Sequence, residues 1–351
     1  MGRAMEAVRP MSAKERFEAA LRLRPVDRLP VASPLGTAIK EIVDLAGCGF
    51  PQAFHDARAM ICLSLAASRY AGWESVRVPF DVNIDAQAFG AKIGNESELR
   101  PPGIIGRVVE DYEMLDRLVI PDPLKAGRSP LLLSAVRILA EREGDLPVIC
   151  AMHGPLTLSA QLRGEEALLM DLLSAPNEAL RLLDKAMRWG REFAGAAVEA
   201  GANVIIILDG TSSGDILGPE QYARFSMPFQ RQLVASLGDR VPSILHICGD
   251  ITSNLNLIVS TEVDAISIGQ VMDLGWVKEQ VDGRAAIVGN VSPTNTLLNG
   301  TPEVVRAATV KCILQGADVP SPGCGFAFET PLASMRAMVQ TIRSYRRHID
   351  Y

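Results

Sequence analysis

The sequence predicts an α/β fold, a (β/α)8 TIM barrel, on three observations. Short β-rich runs alternate with longer amphipathic ones along the chain, the order that builds a parallel sheet with helical crossovers. Two runs, Val204 to Leu208 and Ser243 to Cys248, are apolar almost throughout, as parallel strands covered on both faces are. The runs also number eight: Leu29 to Ala32, Ser75 to Phe80, Leu146 to Met152, Val204 to Asp209, Ser243 to Cys248, Asp264 to Ile268, Ala285 to Asn290, and a weaker one from Asp318 to Pro322.

In chain order, residues 1–11 read as a flexible tail and 12–351 as one barrel domain, a length that α/β barrels use as a single unit. Ser12 and Glu15 have capping-box spacing, and Phe17, Ala20 and Leu21 supply an apolar stripe, so a helix starts there. Residues 84–145, between the second and third runs, are broken by Gly90, Gly94, Pro101, Pro102, Gly103, Gly106, Pro121 and Pro123. They read as an irregular excursion that could form a lid or rim. Helices are expected over Pro176 to Ala200, Pro219 to Leu237, Thr252 to Ser260 and Pro302 to Gln315, the last with Thr301 as N-cap and proline at its first position.

Composition excludes several classes. Hydrophobic residues at 48% and charged residues at 22% rule out a disordered, collagen-like or coiled-coil chain. The net charge of −6, without a basic run of five or more, gives no support for a nucleic-acid or polybasic membrane surface. No apolar stretch approaches the ~20 residues of a bilayer span, and Met1 to Pro10 has no signal-peptide core, so a cytoplasmic protein is expected. Six cysteines, at 48, 62, 150, 248, 312 and 324, are too few and scattered for a disulfide framework. Cys48, Cys62, Cys150 and Cys312 have no ligand-like neighbours and read as core or surface thiols.

His246 and Cys248 are two apart at the end of the fifth run, so both side chains face one way, at the strand ends where barrel active sites are built. Cys324 follows the eighth run between two glycines. One imidazole and two thiolates suit zinc, with a fourth position open to substrate. From spacing alone the bland reading, buried cysteines acting as small hydrophobes, stands beside it. Asp209 ends the most apolar run and is either a mouth carboxylate or a helix-cap or loop anchor. Asn290 either orients a ligand or satisfies loop backbone, and Asp81, after the second run, is a third mouth candidate. His153, beyond the third run, is a weaker one, while His55 and His348 read as surface residues on helices.

These residues together resemble the uroporphyrinogen decarboxylase superfamily, and within it the cobalamin-dependent methyltransferase branch of methylcobamide:coenzyme M methyltransferases and their chloromethane-pathway relatives. The resemblance runs from about Ser12 to Arg346. Its carriers are Phe-Asp-Val-Asn-Ile-Asp-Ala-Gln-Ala-Phe-Gly at 80–90, His-Gly-Pro-Leu-Thr-Leu at 153–158, Glu-Ala-Gly-Ala-Asn-Val-Ile-Ile-Ile-Leu-Asp at 199–209, His-Ile-Cys-Gly at 246–249, Gly-Asn-Val-Ser-Pro at 289–293 and Gly-Cys-Gly-Phe at 323–326. The resemblance implies a barrel, and in the methyltransferase branch a zinc ion held by His246, Cys248 and Cys324. The decarboxylases carry an arginine-rich motif after the first strand; here the stretch is Ala-Ser-Pro-Leu-Gly-Thr at 32–37, without arginine, so a tetra-acidic porphyrinogen would lose its clamp. Asp81 does match the decarboxylases' catalytic aspartate.

The expected function is methyl transfer between a methyl-corrinoid and a zinc-activated thiol such as coenzyme M. Asp209, Asp81 and Asn290 would orient substrate or loops, and His153 would lie on the corrinoid side. The corrinoid is expected on a separate carrier protein, because the chain has no Asp-x-His-x-x-Gly segment. A homodimer is also expected. The alternatives are a corrinoid-linked demethylase of a methoxylated aromatic or methyl halide, a uroporphyrinogen decarboxylase, and a non-catalytic zinc-stabilised barrel that partners a corrinoid carrier.

Overall fold

Side-chain parity along seven parallel strands sorts the apolar residues into two layers. The computed structural model describes residues 9–98 and 100–345. Its main sheet consists of β1 (Val76–Val78), β4 (Val148–His153), β5 (Val204–Leu208), β6 (Ser243–Ile247), β7 (Ala265–Ile268), β8 (Ala286–Val291) and β9 (Val319–Pro322), hydrogen-bonded in that order. Every neighbouring pair is parallel. Ile149, Ala151, Val204, Ile206, Ile244, Ala265, Ala286, Val288 and Val319 form one inner cluster, closed off by Phe17, Ala20 and Leu21 of the helix Ala13–Leu21. The alternate residues, such as Val148, Cys150, Ile205, Ile207 and Leu245, join the larger core beneath the helices. The sheet therefore curls around an inner core.

Seven of the eight expected runs are strands of this sheet, including the weak last one. The first, Leu29 to Ala32, is a correction: it is buried but belongs to no ladder. Pro30 and Pro34 bring no N–H, and the segment is tied on by Glu74 N–H donating to the Val31 carbonyl (2.8 Å) and Ser33 N–H to Ser75 Oγ (3.2 Å). Among the described residues β1 and β9 are thus not joined by a strand.

Residues 84–145 are more regular than expected. They hold the helix Ile84–Ala88, an antiparallel pair of β2 (Lys92–Gly94) and β3 (Gly103–Ile105), and the long helix Ser129–Arg142, which packs Leu132, Leu133, Val136 and Leu139 inward. The expected helix over 219–237 is two, Pro219–Phe225 and Met227–Leu237, parted at Ser226, two residues before Pro228. The expected 252–260 helix is a 3-10 turn, Thr252–Asn254, followed by Leu255–Val259. The capping box stands, with Glu15 N–H donating to Ser12 Oγ at 3.2 Å and Ser12 N–H to Glu15 Oε2 at 2.9 Å. Thr301 caps Pro302–Leu314.

A second correction concerns the cysteines. Cys48 and Cys62 form a disulfide that ties the turn after the helix Lys40–Ala46 to the helix Ala57–Ala71, a tertiary contact that spacing alone does not reveal. Of the expected tail, residues 1–8 lie outside the described residues, as does His348. Met11 N–H donates to Asp27 Oδ2 at 3.0 Å. Among the described residues no helix is long and apolar enough to cross a membrane.

Candidate metal centre

The strand parity that builds the inner core continues past its last apolar layer. Ile244, His246 and Cys248 point inward in succession, so the imidazole and the first sulfur emerge at the C-terminal edge of β6. Cys324 arrives from the loop after β9. That loop passes so close to its neighbours that a side chain is excluded at Gly323 and crowded at Gly325. A Cβ on Gly323 would meet the Gln270 backbone nitrogen at 2.7 Å, and one on Gly325 the Leu35 carbonyl at 3.2 Å.

The three side chains converge. His246 Nε2 lies 2.8 Å from Cys248 Sγ, Cys248 Sγ lies 3.6 Å from Cys324 Sγ, and all three donor atoms fall within 4.8 Å of one another. Tetrahedral zinc, with bonds of about 2.3 Å to sulfur and 2.0 Å to nitrogen, sets two sulfurs about 3.8 Å apart and sulfur from nitrogen about 3.5 Å. The sulfur pair matches that spacing, and the nitrogen–sulfur pair needs to open by under about 1 Å. On the far side of the ring, His246 Nδ1 lies 3.0 Å from Ser267 Oγ and 3.2 Å from the Ser267 carbonyl. A proton on Nδ1 donated to that carbonyl leaves the Nε2 lone pair for a cation. The electrostatics agree: hydrogen bonds from Cys248 and His246 hold the Cys324 thiol well below its ordinary range, and Cys248 is driven up in return. A ready thiolate is a metal ligand. The donor set therefore fits zinc.

The other sequence candidates sit apart from this triad. Asp209 lies one residue past β5 with the opposite parity and faces the helix layer, fully buried. Its Oδ2 accepts from Gln230 Nε2 at 2.7 Å and its Oδ1 from Thr157 N–H at 2.8 Å, in the first turn of the helix Pro155–Arg163. Burial raises its pKa against those hydrogen bonds. Asn290 Nδ2 donates to the carbonyls of Gly269 (3.0 Å) and Met272 (2.8 Å), so the amide ties down the loop after β7. Asp81 is paired with Arg128 at 2.6 Å, with both side chains buried, and its Oδ1 accepts from Asn83 N–H at 2.8 Å. His153, at the end of β4, does share the inward parity. Its Nδ1 is 3.7 Å from Asp85 Oδ2 and its Nε2 3.3 Å from Gln161 Nε2. Burial and the Arg77 charge push the imidazole down to about 3, so it is neutral at ordinary pH. Asp85 beneath it is pushed up by burial to about 7, against donors from His153 N–H and Trp189 Nε1. His55 is partly exposed beside Glu96, 3.3 Å away. Cys150 and Cys312 are buried thiols, each pushed up to about 12 by burial.

Sequence reasoning missed four residues. Ser267 orients His246, Arg128 neutralises Asp81, and Asp85 backs His153; Ser267 and Arg128 have no distinctive local motif, while Asp85 lies within the 80–90 stretch that carries the family resemblance. Arg77 does carry a signal, a lone cation within the apolar run Ser75 to Phe80, placed between Val76 and Val78 so that it alone faces inward.

Comparison with known proteins gives the lineage. The uroporphyrinogen decarboxylase (URO-D) family pattern matches residues 12–345. A methylcobamide:CoM methyltransferase of Methanosarcina acetivorans is 36% identical over 335 residues, covering 95% of this chain and 98% of its own. A uroporphyrinogen decarboxylase of Geobacter metallireducens is 24% identical over 315 residues, covering 87% and 90%. Among solved structures, a methyltransferase from Methanosarcina mazei superposes with a TM-score of 0.91 at 31% identity, over 95% of this chain and 99% of that one. From the full-length match and these relatives, the chain belongs to the uroporphyrinogen decarboxylase family, in its cobalamin-dependent methyltransferase branch.

Proposed function

We propose that this protein is an enzyme that moves a methyl group from a methyl-corrinoid to a thiol such as coenzyme M, with zinc held by His246, Cys248 and Cys324. The observation that carries the reading is the convergence of those three donor atoms within 4.8 Å at the inward edge of the sheet. Methylcobamide:CoM methyltransferases of Methanosarcina among the relatives supply the reaction class.

Zinc at this site would lower the pKa of an incoming thiol and keep it a nucleophilic thiolate. The chain's own residues prepare for that. Cys248 and Cys324 as thiolates balance the double charge of the ion, and Ser267 fixes which imidazole nitrogen is available. Asp209 and Asn290 act as positioning residues: the first holds the start of the helix Pro155–Arg163, the second the loop after β7. Asp81, paired with Arg128, is also a positioning residue, and His153 lines the corrinoid side as a neutral group. In the transfer, sulfur forms a bond to the methyl carbon as the cobalt–carbon bond breaks. Cobalt keeps the electron pair and falls from the +3 to the +1 state, and the thiol proton passes to solvent. The corrinoid arrives on a separate carrier protein.

Purified protein given free methylcobalamin and 2-mercaptoethanesulfonate tests the reading. Thiol-dependent loss of methylcobalamin with formation of the methyl thioether is expected. Corrinoid methylation from methoxyarenes without thiol turnover would instead make the protein a demethylase, and coproporphyrinogen from uroporphyrinogen would make it a decarboxylase.

A further inference from the structure

The Cys48–Cys62 disulfide has no role in the transfer proposed above, yet it lies between the outer surface and the mouth. Cys62, on the helix Ala57–Ala71, is exposed and borders a surface cavity of about 430 Å³ together with Ala46, Leu65 and Tyr70. Cys48 is half-buried, one residue past Gly47, which ends the helix Lys40–Ala46 in the left-handed conformation. An incoming thiolate therefore reaches the Cys62 sulfur, with Cys48 as the sulfur that leaves.

On its other side the bond leads to the mouth. Two residues beyond Cys48, Phe50 stacks on Phe54 with ring centroids 4.4 Å apart and meets Phe80 at 5.6 Å and Phe328 at 6.1 Å. These four rings wall a cavity of about 250 Å³ that Gly325 also borders, next to Cys324 of the proposed metal centre. The backbone between the disulfide and that wall is thinly held. Among the described residues, the N–H groups of Cys48, Gly49 and Phe50 have no protein acceptor, and Pro51 has no N–H to give. The preceding helix is anchored at both ends, by Lys40 N–H donating to the Phe328 carbonyl at 2.7 Å and the Tyr70 hydroxyl to the Leu45 carbonyl at 3.0 Å. Between Gly47 and the ring contacts of Phe50, the disulfide is the restraint that fixes the path of the chain.

We propose that Cys48–Cys62 is a redox switch on the mouth: the disulfide holds Phe50 in the wall, and cleavage by a dithiol reductant releases residues 47–54 and weakens binding of the acceptor thiol. A thiolate of the reductant attacks Cys62 Sγ, the sulfur–sulfur bond breaks, and Cys48 leaves as a thiolate that takes up a proton. The reductant's second thiol then displaces Cys62 and closes its own disulfide, so that two electrons and two protons pass to the protein. A small-molecule disulfide reverses the exchange. The effect on the acceptor rests on the thiol-transfer reading above; release of the segment does not.

The test compares wild-type protein oxidised with glutathione disulfide, wild-type protein reduced with dithiothreitol, each reagent removed before measurement, and the double variant Cys48→Ser/Cys62→Ser. Alkylation and peptide mapping should find positions 48 and 62 blocked in the first sample and reactive in the second. Hydrogen exchange at the Lys40, Ala53 and Phe54 amides is expected to accelerate at least about tenfold on reduction, as a local opening does, with β4 to β8 unchanged. The double variant should match the reduced protein whichever reagent it has met. With methylcobalamin, KM for 2-mercaptoethanesulfonate should rise about threefold in the reduced and variant proteins at little changed kcat, the effect of a competent state populated a third of the time. Initial rates are quenched while mapping still shows the wild-type disulfide intact. A pair that never oxidises or resists dithiothreitol, exchange that is the same in both states, or an unchanged KM in an active enzyme overturns the switch. Should the variant fail to fold, the two wild-type states decide. If no thiol accepts a methyl group, the transfer reading fails by itself, and exchange at the Lys40 amide, bonded to Phe328, decides whether the bond acts on the mouth.

Discussion

Two polar clusters meet at the end of the β5–β6 ladder and differ in what they leave for a ligand. Asp209 N–H donates to the His246 carbonyl at 2.9 Å, so the two residues are backbone neighbours, yet their side chains leave the sheet on opposite faces. On the helix face, both Asp209 oxygens accept from Gln230 and Thr157, and Tyr222 completes the network through Gln230. On the inner face, His246, Cys248 and Cys324 gather three metal-binding atoms in one place. A polar residue at a strand end is thus a poor guide to chemistry until its parity is known. One face fastens helices to the sheet, and the other presents side chains to the mouth.

The largest test of this contrast is Cys324→Ala. Zinc per chain, measured by elemental analysis, should fall from near one to a small fraction, and methyl transfer should vanish, with little change in the unfolding midpoint. Full zinc and full rate would remove the triad from the account. Asp209→Ala should do the reverse, lowering stability by about 3 kcal/mol in denaturant unfolding because Gln230 and Thr157 lose a buried partner, while zinc content of the folded fraction is retained. Equal zinc loss in both variants would erase the distinction between the two faces.

Smaller effects sharpen it. Ser267→Ala frees the His246 ring and should weaken zinc affinity by about tenfold in a chelator competition, with the fold intact. His153 concerns pH. Its folded pKa of about 3 lies below the ordinary 6.5, so between those values the unfolded chain binds a proton that the folded one does not, and stability falls as pH drops below 6.5. Asp85, raised to about 7, works the other way, adding stability as pH falls from 7 toward 3.8. His153→Gln removes only the first slope, at most about 1.4 kcal/mol per pH unit. Its stability should therefore decline less than the wild type's between pH 6.5 and 4, and parallel curves would show that His153 is not buried neutral.

Much of this was legible in the sequence because buried parallel strands announce themselves as apolar runs, and Val204 to Leu208 and Ser243 to Ile247 fall where the runs do. The triad was legible for a related reason: an i, i+2 spacing at a strand end fixes a common face whatever the tertiary details. Leu29 to Ala32 misled because it is apolar and buried like a strand, while Pro30 within it and Pro34 just beyond withhold N–H groups a ladder needs. Asp209 was ambiguous because the register between strand and following helix decides its face, and one residue reverses it. The Cys48–Cys62 disulfide depends on how two helices meet, which no local pattern encodes.

X-ray absorption at the zinc edge, with and without 2-mercaptoethanesulfonate, tests the central claim most directly. The account predicts a first shell with two sulfurs and one imidazole nitrogen among its ligands that gains a third sulfur, at about 2.3 Å, when the thiol is added. A shell that thiol leaves unchanged, or zinc ligated elsewhere on the chain, would contradict it.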